Sequence, residues 1–319
     1  MIWLYIIIFL ASCFLLIFSG KWLIAAITRV ARFLGWREFV VAFFIMAFAG
    51  SIPNLFVGIT SAIKKIPELS FGEVVGGNMV DLTLVLALAT LFAKGIPAES
   101  RMVQASSFFT LAIAILPLLL ILDGNLGRID GTILILTFIF YIYWLFSKGE
   151  RFRKVYDGTP PSSIVKEFKV FLKDLGIIIS GIILMLISAQ GIVASATFFA
   201  ENLNVPLALV GILLIGLGNC LPEAYFSIIS AKKGQSWMIL GDLMGAVIVP
   251  ATLVLGIVAL IYPIKIVDFS PFAIARIFLV ISALFFLFFI RTDRKITKKE
   301  ALFLLLIYIT FVVTEILTN

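Results

Sequence analysis

Gly50-Ser51-Ile52-Pro53-Asn54 and Gly218-Asn219-Cys220-Leu221-Pro222-Glu223 are two versions of one motif, and each interrupts a long apolar run. Glycine and proline break a helix there, and the polar residues beside them face no water. Polar groups at that depth are expensive and mark function. The two breaks, each followed by a polar stretch, therefore predict an ion site near the bilayer midplane.

Working outward, the apolar runs are about 20 residues long, the length a membrane helix needs. Of 319 residues 62% are hydrophobic and 13% charged, and the mean hydropathy is +1.18. A soluble domain carries about a quarter charged residues, so the chain reads as a multi-pass membrane protein. Ten spans are expected: 2–31, 38–63, 70–93, 102–122, 128–147, 174–199, 205–231, 236–262, 270–290 and 298–317. The first apolar run has no basic residues before it and no cleavage pattern, and reads as a retained span. Cys13 and Cys220 lie in apolar runs and suggest no disulfide framework. There is no histidine, so any proton relay falls to carboxylates.

The net charge of +7 follows topology rather than nucleic-acid binding. With loops assigned alternately to two sides, 20 of the 25 basic residues fall on one and 5 on the other. The richer side is cytoplasmic, which puts both termini outside. Thr159-Pro160-Pro161-Ser162 marks a turn in the longest loop. Residues 148–173 read as a cytoplasmic linker between halves 1–147 and 174–319.

The halves are copies. An offset of 169 residues pairs Pro53 with Pro222, Ser61 with Ser230, Gly72 with Gly241, Glu73 with Asp242 and Gly76 with Gly245. It ends by pairing Thr83-Leu84-Val85-Leu86 with Thr252-Leu253-Val254-Leu255. The repeated parts cover about 38–93 and 205–262. Five spans per half is an odd number, so the second copy enters from the opposite side. The expected fold is all-α and polytopic: ten transmembrane helices as two inverted five-helix repeats, broken at the midplane. Gly50, Pro53, Gly76, Gly77, Pro222 and Gly245 are the expected breaks.

Four carboxylates lie inside apolar runs: Glu73, Asp81, Glu223 and Asp242. In hydrocarbon each needs a cation, a proton or a partner. The other acids fall in loops or at span ends. Hard cations take oxygen ligands, which Ser51, Asn54, Asn78, Asp81, Asn219, Glu223 and Ser227 offer. Glu223 and Ser227 are one turn apart and share a helix face. Ser61, Ser106 and Ser188 are expected to bond back to their own helices.

The pattern of Pro-Glu and Gly-rich breaks in two inverted halves resembles the calcium/cation antiporter superfamily, which includes the sodium/calcium exchangers. Ser51-Ile52-Pro53 and Leu221-Pro222-Glu223 match its breaks; Gly72-Glu73-Val74-Val75-Gly76-Gly77-Asn78 and Gly241-Asp242-Leu243-Met244-Gly245 match in part. The resemblance covers essentially the whole chain and implies a divergent member. It implies exchange of calcium for sodium or protons by alternating access, with the first and sixth spans sliding on a core of spans two, three, seven and eight. The implied central positions are Asn54, Asp81, Glu223 and Pro250. Asn54 replaces a carboxylate and proline has no side-chain ligand, so Asn54, Asp81 and Glu223 remain as metal ligands. Two negative charges match one divalent ion. Glu73, about 12 Å along a helix from Asp81, and Asp242 are candidates for a proton or access path. A homologue with altered selectivity or no transport stays open, as does a remote alternative, an intramembrane aspartyl protease using Asp81 and Asp242. The transported ions and the bilayer are the expected partners; no enzymatic activity and no resident cofactor are expected.

Overall fold

The structure is a computed structural model that describes residues 2–33, 51–93, 95–99, 101–147, 164–232, 234, 236–266 and 270–318. Gly50, the first part of the second span and most of the 148–173 linker lie outside these residues. Among the described residues nine helices are long and apolar enough to cross a membrane. They are joined by a shorter apolar helix at Ser51–Ile63. The chain is an all-α, multi-pass membrane protein.

The first half contains α1 (Ile2–Phe33), α2 (Ser51–Ile63), α3 (Glu68–Phe92), α4 (Arg101–Leu120) and α5 (Arg128–Ser147). The second contains α6 (Ile164–Leu203), α7 (207–219), α8 (Leu221–Lys232), α9 (236–261), α10 (Ser270–Arg291) and α11 (Lys298–Thr318). Helix α6 takes in the last ten residues of the expected linker. Cys220 makes a turn between α7 and α8, so the seventh span is broken at the motif.

Two short antiparallel ladders reveal the symmetry. Strand β1 (Ile96–Pro97) pairs with β4 (Lys295–Ile296), and β2 (Asn125–Leu126) pairs with β3 (Ile264–Lys265). The repeat mate of β1 is β3 and that of β2 is β4, so one ladder maps onto the other. Because α4 runs between β1 and β2, the ladders sit at opposite ends of the bundle. Packing is likewise crossed between halves. Helix α4 lies on α9 and α10 on α3, while α5 lies on α9 and α11 on α3. The start of each fifth helix is capped the same way: the Asp130 carboxylate accepts from the Gly127 N–H, and the Glu300 carboxylate from the Thr297 N–H.

Helix α3 and helix α9 share a further device. Each contains one π turn, at Asp81–Val85 and at Pro250–Val254, again 169 residues apart. The Thr83 hydroxyl donates to the Met79 carbonyl and the Thr252 hydroxyl to the Ile248 carbonyl. Such back-bonds compete with the helix ladder and accompany the turn in both copies. Pro250 adds a missing N–H in the second copy, but its mate Asp81 shows that proline is not the shared cause.

The expected breaks at Gly76, Gly77 and Gly245 are corrected here. All three lie inside regular α-helix, Glu68–Val80 or Ser236–Val249. In α3 glycine serves close approach instead. A Cβ on Gly72 would sit 2.5 Å from the Ala208 carbonyl oxygen, and one on Gly76 would land on the Ile212 backbone. From the other side, Gly211 meets the Leu69 carbonyl and Gly216 the Gly77 N–H. Small residues on both helices let α3 and α7 touch backbone to backbone.

Helices α1 and α6 form a separate antiparallel pair. Tyr5 stacks on Phe198 at one end, with ring centroids 3.8 Å apart. At the other end the Arg29 guanidinium donates twice from Nε and once from Nη2 to the Asp174 carboxylate, at 2.6–3.0 Å. Asp174, an acid assigned to a span end, has a side chain only 3% exposed. Replacing Arg29 by alanine leaves that carboxylate buried without its partner, at a cost of about 1–3 kcal/mol. The expected result is a lower melting temperature in detergent for Arg29→Ala, partly recovered in the Arg29→Ala/Asp174→Asn double variant. Equal melting of Arg29→Ala and wild type would show that the pair holds nothing.

Candidate cation site

The π turn of α3 faces α8 and α9, and the π turn of α9 faces α2. The first contact brings acids together. Asp81, on the π turn, lies close enough to Glu223 on α8 and Asp242 on α9 for the three charges to interact. In the second contact α2 carries Asn54 where α8 carries Glu223, and the π turn of α9 begins at Pro250 where that of α3 begins at Asp81. The pseudo-symmetric frame is thus charged on one side and neutral on the other.

Burial sharpens this. Asp81 is 3% exposed, Glu223 6%, Asn78 1% and Ser227 fully buried. One oxygen each of Asn54, Asp81, Glu223, Ser227 and Asp242 is buried with no hydrogen-bond partner, as is the Asn78 Nδ2. Native interiors rarely leave such atoms unpaired. Neighbouring acceptor oxygens on α3, α8 and α9 suit a cation, and Asn54 on α2 offers a further buried acceptor. Among the described residues no three acidic or cysteine side chains close tightly enough to hold a metal by themselves. A cation at this place would need the amide, hydroxyl and backbone oxygens as well.

Glu73 and Asn219 behave differently from the other candidates. Glu73 is 1% exposed on α3, and the Asn219 Nδ2 at the end of α7 donates to its Oε1. Its Oε2 has no partner. The structure therefore brings Asn219 to Glu73, across the α3–α7 contact. The repeat mate of Asn219 is Gly50, which has no side chain to offer Asp242. Ser51 is buried in the first turn of α2, beside Pro53. Ser61 and Ser188 donate to the Gly58 and Leu184 carbonyls of their own helices, as expected.

Two residues were not singled out from the sequence. Cys220, in the turn between α7 and α8, is 5% exposed. Its thiol donates to the Gly77 carbonyl, 3.4 Å away, in the neighbourhood of the Asp81 carboxylate. The signal was its place inside the motif, one residue before Leu-Pro-Glu. Glu315, assigned to a span end, is fully buried in α11. It continues the buried stripe Ala301, Leu304, Ile307 and Phe311, a spacing that was readable beforehand.

The sodium/calcium exchanger protein family matches residues 4–147 and 173–317. Sodium/calcium exchanger MaX1 of Methanosarcina acetivorans is 24% identical over 340 residues, covering 96% of this chain and 97% of that protein. Inner membrane protein YrbG of Escherichia coli is 24% identical over 281 residues, covering 85% and 84%. The fold is that of the sodium-calcium exchanger NCX_Mj: a structure of it soaked with sodium and strontium superposes with a TM-score of 0.65 at 24% identity, covering 98% of this chain and 99% of that one. With both halves matched and the crossed, doubled architecture in place, this chain belongs to the sodium/calcium exchanger family.

Proposed function

We propose that this chain is a secondary antiporter that exchanges one divalent cation, calcium foremost, for protons or sodium across the cell membrane by alternating access. The observation that carries the proposal is the cluster of buried, unpartnered oxygens contributed by both repeats. Asp81 and Glu223 supply the charge. Asn54, Ser227, Ser51 and Asn78 supply neutral ligands, and Asn219 acts through Glu73. Carboxylates in hydrocarbon stay ionised only while a cation holds them. A cargo ion leaving the site is therefore replaced by another cation or by protons, which is obligatory exchange. Asp242 and Glu73 flank the pair on α9 and α3 and serve as the proton or access path.

Alternating access is assigned to α1 and α6. They contact each other far more than they contact the core, and most of the α1 span faces outward. Gly191 on α6 seats directly over Ser12 on α1, and Gly20 packs at Met185. The pair would slide over α2, α3, α8 and α9 as a unit, with both termini outside and the 148–173 linker in the cytoplasm.

A second reading is an exchanger homologue that no longer transports. It is favoured by Pro250 and by the absence of a closed trio of metal-binding side chains among the described residues. Calcium uptake into proteoliposomes, driven in turn by a pH gradient and by a sodium gradient, separates the readings. Flux on the pH gradient is expected. Flux on sodium alone, indifferent to pH, would remove proton coupling. No flux on either gradient would favour the second reading.

A further inference from the structure

At the end of the bundle that holds the β1–β4 ladder, a cavity of about 390 Å³ opens between the two halves. Arg101 at the start of α4, Arg291 at the end of α10 and Arg294 just before β4 line it, with Glu99, Gln104 and Ala105. Its frame is rigid. The Gln104 Nε2 donates to the Ala98 and Ile290 carbonyls at 2.7 and 2.8 Å, and the Ala98 N–H donates to the Arg294 carbonyl at 2.7 Å. These bonds tie the start of α4 to the end of α10. Among the described residues no ion pair joins Glu99 to any of the three arginines. Three cations against one carboxylate leave an excess of two positive charges around an open pocket.

The fold alone does not account for this. The second ladder is built identically at the opposite end, but the repeat mates of Arg101 and Arg291 are Ser270 and Leu122. The excess of basic residues on the cytoplasmic side explains cations there in general. It does not explain three of them around one pocket whose backbone frame is tied together by hydrogen bonds. Arg101 and Arg291 also stand at the ends of spans, Val103–Asp123 and Phe272–Arg291, which is the depth of lipid headgroups. Guanidinium groups hold phosphate through paired N–H donors, and basic pockets between membrane helices on the cytoplasmic side take anionic headgroups.

We infer that Arg101, Arg291 and Arg294 form a binding site for the phosphate group of an anionic phospholipid, clasping the two halves together at the cytoplasmic face. The site is distinct from the cation site and does not depend on what ion is moved.

The test is native mass spectrometry and thermal unfolding of the full chain in phosphatidylcholine nanodiscs, with and without phosphatidylglycerol, and in phosphatidylcholine with millimolar inorganic phosphate. Phosphatidylglycerol is expected to be retained and to raise the melting temperature, whereas inorganic phosphate has little effect. Each single Arg→Gln variant should weaken retention roughly fivefold, and the triple variant should abolish it. A control that removes as many charges outside the cavity, Lys232→Gln/Lys298→Gln/Lys299→Gln, should retain the lipid as wild type does. Equal loss in that control would reduce the effect to general surface charge and overturn the site. Retention in all three single variants would do the same even if the triple variant failed to fold. Equal stabilisation by inorganic phosphate would overturn the lipid assignment.

Discussion

Glu223→Gln is expected to abolish cation exchange while leaving the protein at least as stable as the wild type. The substitution keeps shape and volume and removes one of the two charges that face a divalent ion. At about 4 Å and an effective dielectric constant of about 20, each unit charge pair contributes about 4 kcal/mol. Halving the site charge therefore weakens cation affinity by roughly 100-fold or more. Stability should move the other way. Glu223 is buried beside Asp81 and Asp242, with one oxygen unpartnered, so an uncharged amide relieves repulsion and desolvation. The two readouts together separate a ligand from a structural group. Flux and melting temperature falling together would make Glu223 structural, and undiminished calcium flux would remove the proposed site.

The doubled architecture was legible because the 169-residue offset runs without a gap through polar and small residues, which apolar composition cannot imitate. The same offset later reappears in the π turns and, shifted by a residue, in the ladders and helix caps. That Glu73, Asp81 and Glu223 are buried was legible for a different reason: a carboxylate in an apolar run has few explanations. What stayed hidden depends on the partner surface. Gly76 and Gly77 look like helix breakers in one dimension, and only the approach of α7 shows that they are contact residues. Asp174 reads as a solvated span end until Arg29, 145 residues away, closes on it. Cys220 reads as a small apolar residue until its turn places the thiol against the Gly77 carbonyl. Each of these needed a long-range contact that no local pattern encodes.

The α3–α7 contact is also where the largest structural effect is expected. Gly76→Val should prevent stable folding in the membrane or, if protein is recovered, disable exchange. At Gly76 even a single Cβ meets backbone, with the Ile212 carbonyl carbon and Cα both at 2.7 Å. Backbone cannot swing aside as a flexible side chain can, so the helices must separate by about 1 Å to restore ordinary contact. Inserting bulk into a packed core costs about 1–3 kcal/mol when neighbours can adjust; here they cannot, and the cost should exceed that range. The consequence reaches the site. Asn219 and Cys220, at and just past the end of α7, hold Glu73 and Gly77 across this same contact, next to Asp81. A separation of that size breaks those bonds together. Gly77→Ala is the comparison that makes the argument testable. Its Cβ would meet the Cys220 Sγ at 3.6 Å, an ordinary van der Waals distance. The measurement is yield and melting temperature of both variants in detergent. Gly77→Ala should resemble wild type, and Gly76→Val should not. Normal folding and flux in Gly76→Val would mean that α3 and α7 do not meet backbone to backbone.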